Sequence, residues 1–225
     1  AGGQSLVSMM NFRYAMPDHL VDLNNVPELT QLSVQDNRLR VGAMLRQREI
    51  EFSRDVAALC PILREAILNV GHRQTRNRGT VGGSLCHLDP SAELPAMMML
   101  HDAEVVCTSK RGERSIAMQD FALGYMTPAL EPDEILKEVH FALWPNAHGY
   151  AFEEYARRHG DFAIASCGVL LTLSGQQIDR LSIVIGGLGS GPQRLVEFEQ
   201  SAKGQLPDEG FIERAAAAAS TLEAY

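Results

Sequence analysis

Two glycine pairs, in AGGQSL at residues 1–6 and in TVGGSL at residues 80–85, set the tightest constraint on how this 225-residue chain can fold. Glycine has no Cβ, so each pair marks a place where the backbone turns sharply or where something approaches it closely. Each is followed within two residues by Ser-Leu. Consecutive turn residues can aim several N–H groups into one concavity, which suits an anion such as phosphate, and a neighbouring serine adds a hydroxyl. Two such loops brought together could clamp a pyrophosphate with neutral donors, and Arg76 and Arg78 would add a positive field beside the second. Neither pair fits GxGxxG or GxxxxGK(S/T), which removes the Rossmann and P-loop readings. The plainer reading of a glycine pair is a turn, as expected for GGLG at 186–189. Downstream, Asp89 and Glu93 read singly as surface or capping acids. As a pair just after a phosphate loop, either could accept hydrogen bonds from a ribose diol.

Composition narrows the class. Hydrophobic residues make up 45% and charged residues 21%, the balance of a folded chain. The net charge of −8 argues against nucleic acid or an anionic membrane surface as partner. No apolar run approaches the roughly 20 residues of a transmembrane segment. Cys60, Cys86, Cys107 and Cys167 form no CxxC and sit in apolar or near-apolar runs, which points to buried thiols in a reducing, cytoplasmic setting. The seven histidines form neither HxxxH nor HExxH, so metal ligation by this chain is not expected. No GxSxG occurs, and Cys86 beside His87 does not make a nucleophile–base pair by adjacency alone. Met97, Met98 and Met99 read as core filling. The start at AGGQS and the end inside or just after a helix lead us to expect a segment of a longer protein, with first strands and a final helical stretch beyond it.

Along the chain, LVDL between Pro17 and Pro27 reads as a short strand. TQLSVQDNRLRVGAML alternates either side of a QDN turn, a hairpin pattern. Ser53 can cap a helical run that Pro61 divides and Gly71 ends. A short helix at PAMMML, two strands joined at KRGE and a strand over EILKEVHFAL follow. After NAHG the composition shifts. GYAFEEYARR, DFAIASCGVLLTLSG and QIDRLSIVIGGLG read as three antiparallel strands joined by tight turns, then helices at QRLVEFEQ and EGFIERAAAAASTLEA, whose alanines could face a partner. The pattern is an α+β chain divided at 1–148 and 149–225, with subdomains near 1–52 and 53–148.

Taken together, AGGQSLV, PDHLVDLNNVPEL, GHRQTRNRGTVGGSLCHLDPSAELPA, DEILKEVHF and ARRHGDFAIAS resemble, in order, the FAD-binding medium subunit of the molybdenum hydroxylases, the family of carbon monoxide dehydrogenase and xanthine dehydrogenase. The resemblance implies a PCMH-type (vanillyl-alcohol-oxidase-like) FAD-binding fold of two α+β subdomains, followed by a C-terminal domain with a three-stranded antiparallel sheet and helices. It implies that Ala1, Gly2, Gly3, Gln4, Ser5 and Leu6 form one pyrophosphate loop and Thr80, Gly82, Gly83 and Ser84 the other. By the same likeness Cys86 lines the pocket and Glu93, in preference to Asp89, sits near the adenosine ribose. Leu136 packs near the flavin ring, and Phe162 lies by the isoalloxazine face.

The implied role is electron transfer: substrate is hydroxylated at a molybdenum cofactor in a large subunit, and electrons pass through two 2Fe–2S clusters in a small subunit to FAD and on to a terminal acceptor. A dimer of heterotrimers is implied, with no catalytic acid or base in this chain. Two departures stand out. Where several relatives carry a lysine before the Arg-Arg pair, FEEYARR has Glu153 and Glu154, and the cysteine-rich loop of the 4-hydroxybenzoyl-CoA reductase branch is absent. The alternatives are a stand-alone flavin oxidoreductase of the same superfamily and a non-catalytic module that kept the fold without flavin.

Overall fold

The computed structural model describes residues 1–222. A short helix α1 (Leu6–Asn11) and one 3-10 turn at Pro27–Thr30 precede the hairpin of β1 (Leu32–Gln35) and β2 (Arg38–Gly42). The turn residues Asp36 and Asn37 both take positive φ, 53° and 56°, which a two-residue hairpin demands and Asp and Asn tolerate. LVDL forms no strand. It has no neighbouring strand to pair with, and Asp22 Oδ1 instead accepts from the Asn24 N–H at 2.9 Å, closing a local turn.

Three helices follow: α2 (Gln47–Phe52), α3 (Arg54–Leu59) and α4 (Pro61–Asn69). Ser53 Oγ caps α3 by accepting from Val56 N–H at 3.2 Å, and Pro61 opens α4 at a position where no N–H is needed. Next come α5 (Arg73–Arg78), α6 (Val81–His87) and α7 (Glu93–Leu100). The strands β3 (Glu104–Ser109) and β4 (Gly112–Ala117) lead through α8 (Met118–Phe121) and the ribbon β5 (Ala122–Gly124) and β6 (Thr127–Pro128) to β7 (Ile135–Ala142). β7 returns between β2 and β3, giving a sheet ordered β1-β2-β7-β3-β4 with every pair antiparallel.

The second sheet holds the three expected strands, β8 (Gly149–Tyr155), β9 (Ala165–Ser174) and β10 (Gln177–Gly186), plus a two-residue β11 (Gln193–Arg194), ordered β11-β10-β9-β8. The β9–β10 turn is tight, with Gly175 at φ +64°, but residues 156–164 between β8 and β9 are irregular, not the short turn expected. Helices α9 (Val196–Ala202) and α10 (Glu209–Ala219) follow; the end of the last expected helix, Glu223–Tyr225, lies outside the described residues. Of the alanine run, Ala215 and Ala219 pack on the second core and Ala216 and Ala217 face outward.

The two sheets share a spine. All of α7 except Met99 is buried, and the first core runs on through Phe152, Leu170 and Val184 of the second sheet. The opposite face of that sheet packs Ile183, Ile185 and Leu195 against Ala202 and Phe211. β10 is therefore covered on both faces, which explains why Leu181–Gly186 is buried without a break and apolar but for Ser182. Polar contacts reinforce the seam: Ser182 Oγ donates to the Leu100 carbonyl at 2.7 Å, and Arg194 donates to the Met99 carbonyl at 2.8 Å and to Asp102 at 2.9 Å.

His101 follows α7, fully buried, with Nδ1–H donating to the Ala142 carbonyl at 3.0 Å and its ring edge-on to Phe141. Burial pushes its pKa down to about 4. The unfolded chain takes up a proton near 6.5 and the folded one resists it until about 4, so this group costs stability as pH falls through that window. A His101→Gln variant should lack that loss: between pH 6.5 and pH 4 the difference in unfolding free energy between wild type and variant should shrink by up to about 1.4 kcal/mol per pH unit. Urea melts followed by the fluorescence of Trp144 would measure it.

Candidate functional site

The second glycine pair is not a loop. Thr80 caps α6, its Oγ1 accepting from the Gly83 N–H at 3.1 Å, and Gly82 and Gly83 fall in the first helical turn. Glycine is a poor helix former, so its presence there needs a packing cause. A Cβ on Gly82 would come within 2.6 Å of Ala43 Cβ and 2.9 Å of the Ala43 carbonyl. Two backbones meet at that point, and the Gly82 N–H donates to that same carbonyl at 2.8 Å.

The first pair closes over this helix start. A Cβ on Gly2 would sit 1.8 Å from the Arg78 carbonyl oxygen, and one on Gly83 would touch Ala1 Cβ at 3.4 Å. The two glycine segments are thus in contact, with Gly3 in the left-handed region at φ +77°. Arg46 stitches the surroundings, donating through Nη1 to the Arg78 carbonyl and through Nη2 to Asn24 Oδ1 at 2.5 Å, and its backbone bridges Thr80.

The donors divide unequally. In the second segment Val81, Gly82, Gly83 and Ser84 all spend their N–H groups inside the protein, on Leu45, Ala43, Thr80 Oγ1 and Thr80 O. In the first, the N–H groups of Gly2, Gly3, Gln4 and Ser5 have no acceptor among the described residues. The two glycine segments therefore differ in what they present. The first segment offers free backbone donors, and the second offers shape together with the Ser84 hydroxyl. Gln4 is exposed, Leu6 is 43% exposed, and Ser5 precedes α1 without capping it.

Arg76 also differs from expectation. It is buried, paired with Glu51 at 3.1 Å, and donates to the Val70 carbonyl at 3.2 Å, so its charge is spent on structure. Arg78 remains exposed beside the site. Cys86 is exposed where a buried thiol was expected, since the sixth residue of α6 points away from the core; enough protein still surrounds it that desolvation pushes the thiol up to about 11, which leaves it protonated. Cys60 and Cys107 are buried as expected. Asp89 Oδ1 accepts from the Ser91 N–H at 2.9 Å, the local capping role.

Glu93 opens α7 at only 8% exposure. Burial, then the acids Glu154 and Asp89, raise its pKa to about 8. Leu136 is buried in the first core opposite Cys107. Phe162 is 71% exposed on the irregular stretch after β8. A cleft of about 320 Å3 is lined by Asn69, Glu154, Arg157, Arg158 and His159. Sequence reading missed Arg46 and Asn24, because their bond joins positions far apart in the chain that no motif links.

With this geometry in place, comparison identifies the class. Residues 1–144 match the family model described as FAD binding domain in molybdopterin dehydrogenase, and residues 150–222 match the CO dehydrogenase flavoprotein C-terminal domain. The chain belongs to the family of FAD-binding medium subunits of the molybdenum hydroxylases. It is 40% identical over 200 residues to the 6-hydroxypseudooxynicotine dehydrogenase complex subunit alpha of Paenarthrobacter nicotinovorans, covering 88% of this chain and 68% of that one. It is 34% identical to the carbon monoxide dehydrogenase medium chain of Afipia carboxidovorans, covering 100% of this chain and 78% of that one. Among solved structures it superposes on reconstituted CO dehydrogenase from Oligotropha carboxidovorans with a TM-score of 0.97 at 34% identity, covering 100% of this chain and 78% of that chain. On quinoline 2-oxidoreductase from Pseudomonas putida 86 the TM-score is 0.93 at 35% identity, covering 98% and 77%.

The contact at Ala43 yields a test. Gly82→Ala should cost about 1–3 kcal/mol of stability, because the obstructing atoms are a backbone carbonyl and a Cβ that cannot rotate away. Chemical denaturation of the two proteins side by side would give the difference.

Proposed function

We propose that the chain holds FAD at the contact between its two glycine segments and passes electrons from iron–sulfur clusters of a partner subunit through FAD to a terminal acceptor. The observation that carries the site is the packing of Gly2 on the Arg78 carbonyl and Ala1 on Gly83, which sets four free N–H groups beside the start of α6. A pyrophosphate accepts such hydrogen bonds, and glycine lets it approach the backbone. The group therefore fits the residues present. When bound, FAD takes electrons singly and delivers them in pairs, which couples one-electron carriers to a two-electron acceptor.

The work of this chain is to bind and orient. Gly2–Ser5 donate to the pyrophosphate, the Ser84 hydroxyl adds a donor, and Arg78 supplies positive potential from the exposed side. The exposed Phe162 offers a flat apolar face to an aromatic ring system. Among the described residues no group of three or more His, Cys, Asp or Glu side chains could hold a metal. In this reading the molybdenum cofactor and two 2Fe–2S clusters belong to a large and a small partner subunit, in a dimer of heterotrimers. The family relative named as a subunit of a dehydrogenase complex supports such an assembly. No helix among the described residues is long and apolar enough to cross a membrane. Four free cysteines suit the reducing cytoplasm, where we place the complex.

The test is cofactor identification on the full-length protein with whatever co-purifies: acid release, chromatography and mass of the freed nucleotide, and metal analysis alongside. FAD with molybdenum and iron is the expected result. FAD without metals, in a preparation that oxidises a small molecule, would favour the stand-alone flavin oxidoreductase, and no flavin in a folded sample would overturn the site. Gly3→Ala, strained at φ +77°, should lower FAD affinity by roughly 10-fold or more while leaving far-UV circular dichroism unchanged.

A further inference from the structure

We propose that Arg46 is a positioning residue of the cofactor site: its guanidinium fixes the Arg78 carbonyl against the first glycine segment and leaves an uncompensated positive charge there for the diphosphate of FAD. The role rests on the FAD reading above and adds to it a residue outside both glycine motifs. Arg46 precedes α2, where residues 45–47 run alongside 79–81. The Gln47 N–H donates to the Gly79 carbonyl at 3.0 Å, and the Val81 N–H donates to the Leu45 carbonyl at 3.1 Å.

One oxygen joins the parts. The Arg78 carbonyl accepts from Arg46 Nη1, and it is the same oxygen that a Cβ on Gly2 would meet at 1.8 Å. Its placement therefore sets where Gly2 can lie, and with Gly2 the free N–H groups of the first segment. Arg46 Nη2 donates at 2.5 Å to Asn24 Oδ1. Asn24 is held in turn by Asp22 Oδ1, which accepts from its backbone N–H at 2.9 Å and from its Nδ2 at 2.5 Å. A planar guanidinium serves both acceptors in one fixed geometry, which a lysine ammonium on a flexible stem does not.

These bonds leave the charge unneutralised. Both side-chain partners of Arg46 are neutral, and no ion pair among the described residues includes it. The acids close by are engaged elsewhere. Glu49 Oε2 accepts from the Arg46 backbone N–H at 2.8 Å, while Asp22 is turned to Asn24 and lies in the field of Arg78. Arg76 is the contrast, its charge matched by Glu51 at 3.1 Å. A half-buried cation without a counter-ion, beside backbone donors without acceptors, favours a dianion over a neutral ligand.

The test is FAD binding by the full-length protein with whatever subunits co-purify, stripped of flavin and titrated with FAD while flavin fluorescence is followed, from about 0.05 to 0.5 M KCl. Wild-type binding should weaken as salt rises. Arg46→Gln should bind FAD roughly 10-fold or more weakly at low salt and show a flatter salt dependence, because the lost interaction is a charged one. Arg46→Lys should keep the salt dependence but not the affinity. A residue that only supported the fold would lower affinity and leave the salt dependence unchanged. Arg46→Gln binding within about 2-fold of wild type, or weaker binding with the wild-type salt dependence, overturns the role of Arg46 and leaves the FAD site standing. Wild type that takes up no FAD overturns the site and this role together. Should Arg46→Gln fail to fold by far-UV circular dichroism, Arg46→Lys decides, and full affinity there overturns the role.

Discussion

Everything in this molecule hangs on the burial of α7. Seven of its eight residues, Glu93, Leu94, Pro95, Ala96, Met97, Met98 and Leu100, are buried. A helix apolar on every side can exist only with partners all round it. α4 and α6 supply them from the first part of the chain, and β9, β10 and β11 from the second. Fully burying each such apolar side chain contributes on the order of 1.5–3 kcal/mol, so the helix fastens the two sheets more firmly than any ion pair at the rim. That is why Gly168 lacks a side chain. A Cβ there would come within 2.9 Å of Met97 and 3.1 Å of Leu100.

The candidate site is a consequence of that anchoring. α6 and α7 are consecutive, separated only by the Leu88–Ala92 connection, whose Pro90 carbonyl accepts from the Gly187 N–H at 3.0 Å. With α7 immobile, the start of α6 is fixed against Ala43 at the end of β2, and the segment 1–5 has a firm surface to close on. The firmness matters because a neutral N–H cradle works by preorganisation: donors that need not move to meet an anion lose little entropy on binding it. Arg46, reaching from before α2 to Asn24 and Arg78, holds the remaining edge.

Local chemistry was readable wherever it was sufficient by itself. The QDN turn, the Ser53 cap and the Pro61 break depend on one or two residues and the backbone they sit on, and all three stand in the structure. Sequence reading failed where a distant neighbour decides. TVGGS reads as a loop because glycine disfavours helix, yet contact with Ala43 and the Thr80 cap outweigh roughly 1 kcal/mol of propensity per glycine. Arg76 reads as a free cation until Glu51 and three carbonyls surround it. LVDL has strand composition, but no strand lies beside it. The family resemblance brought the two glycine segments together, as the structure does, because it carries such long-range information, which single-chain patterns lack.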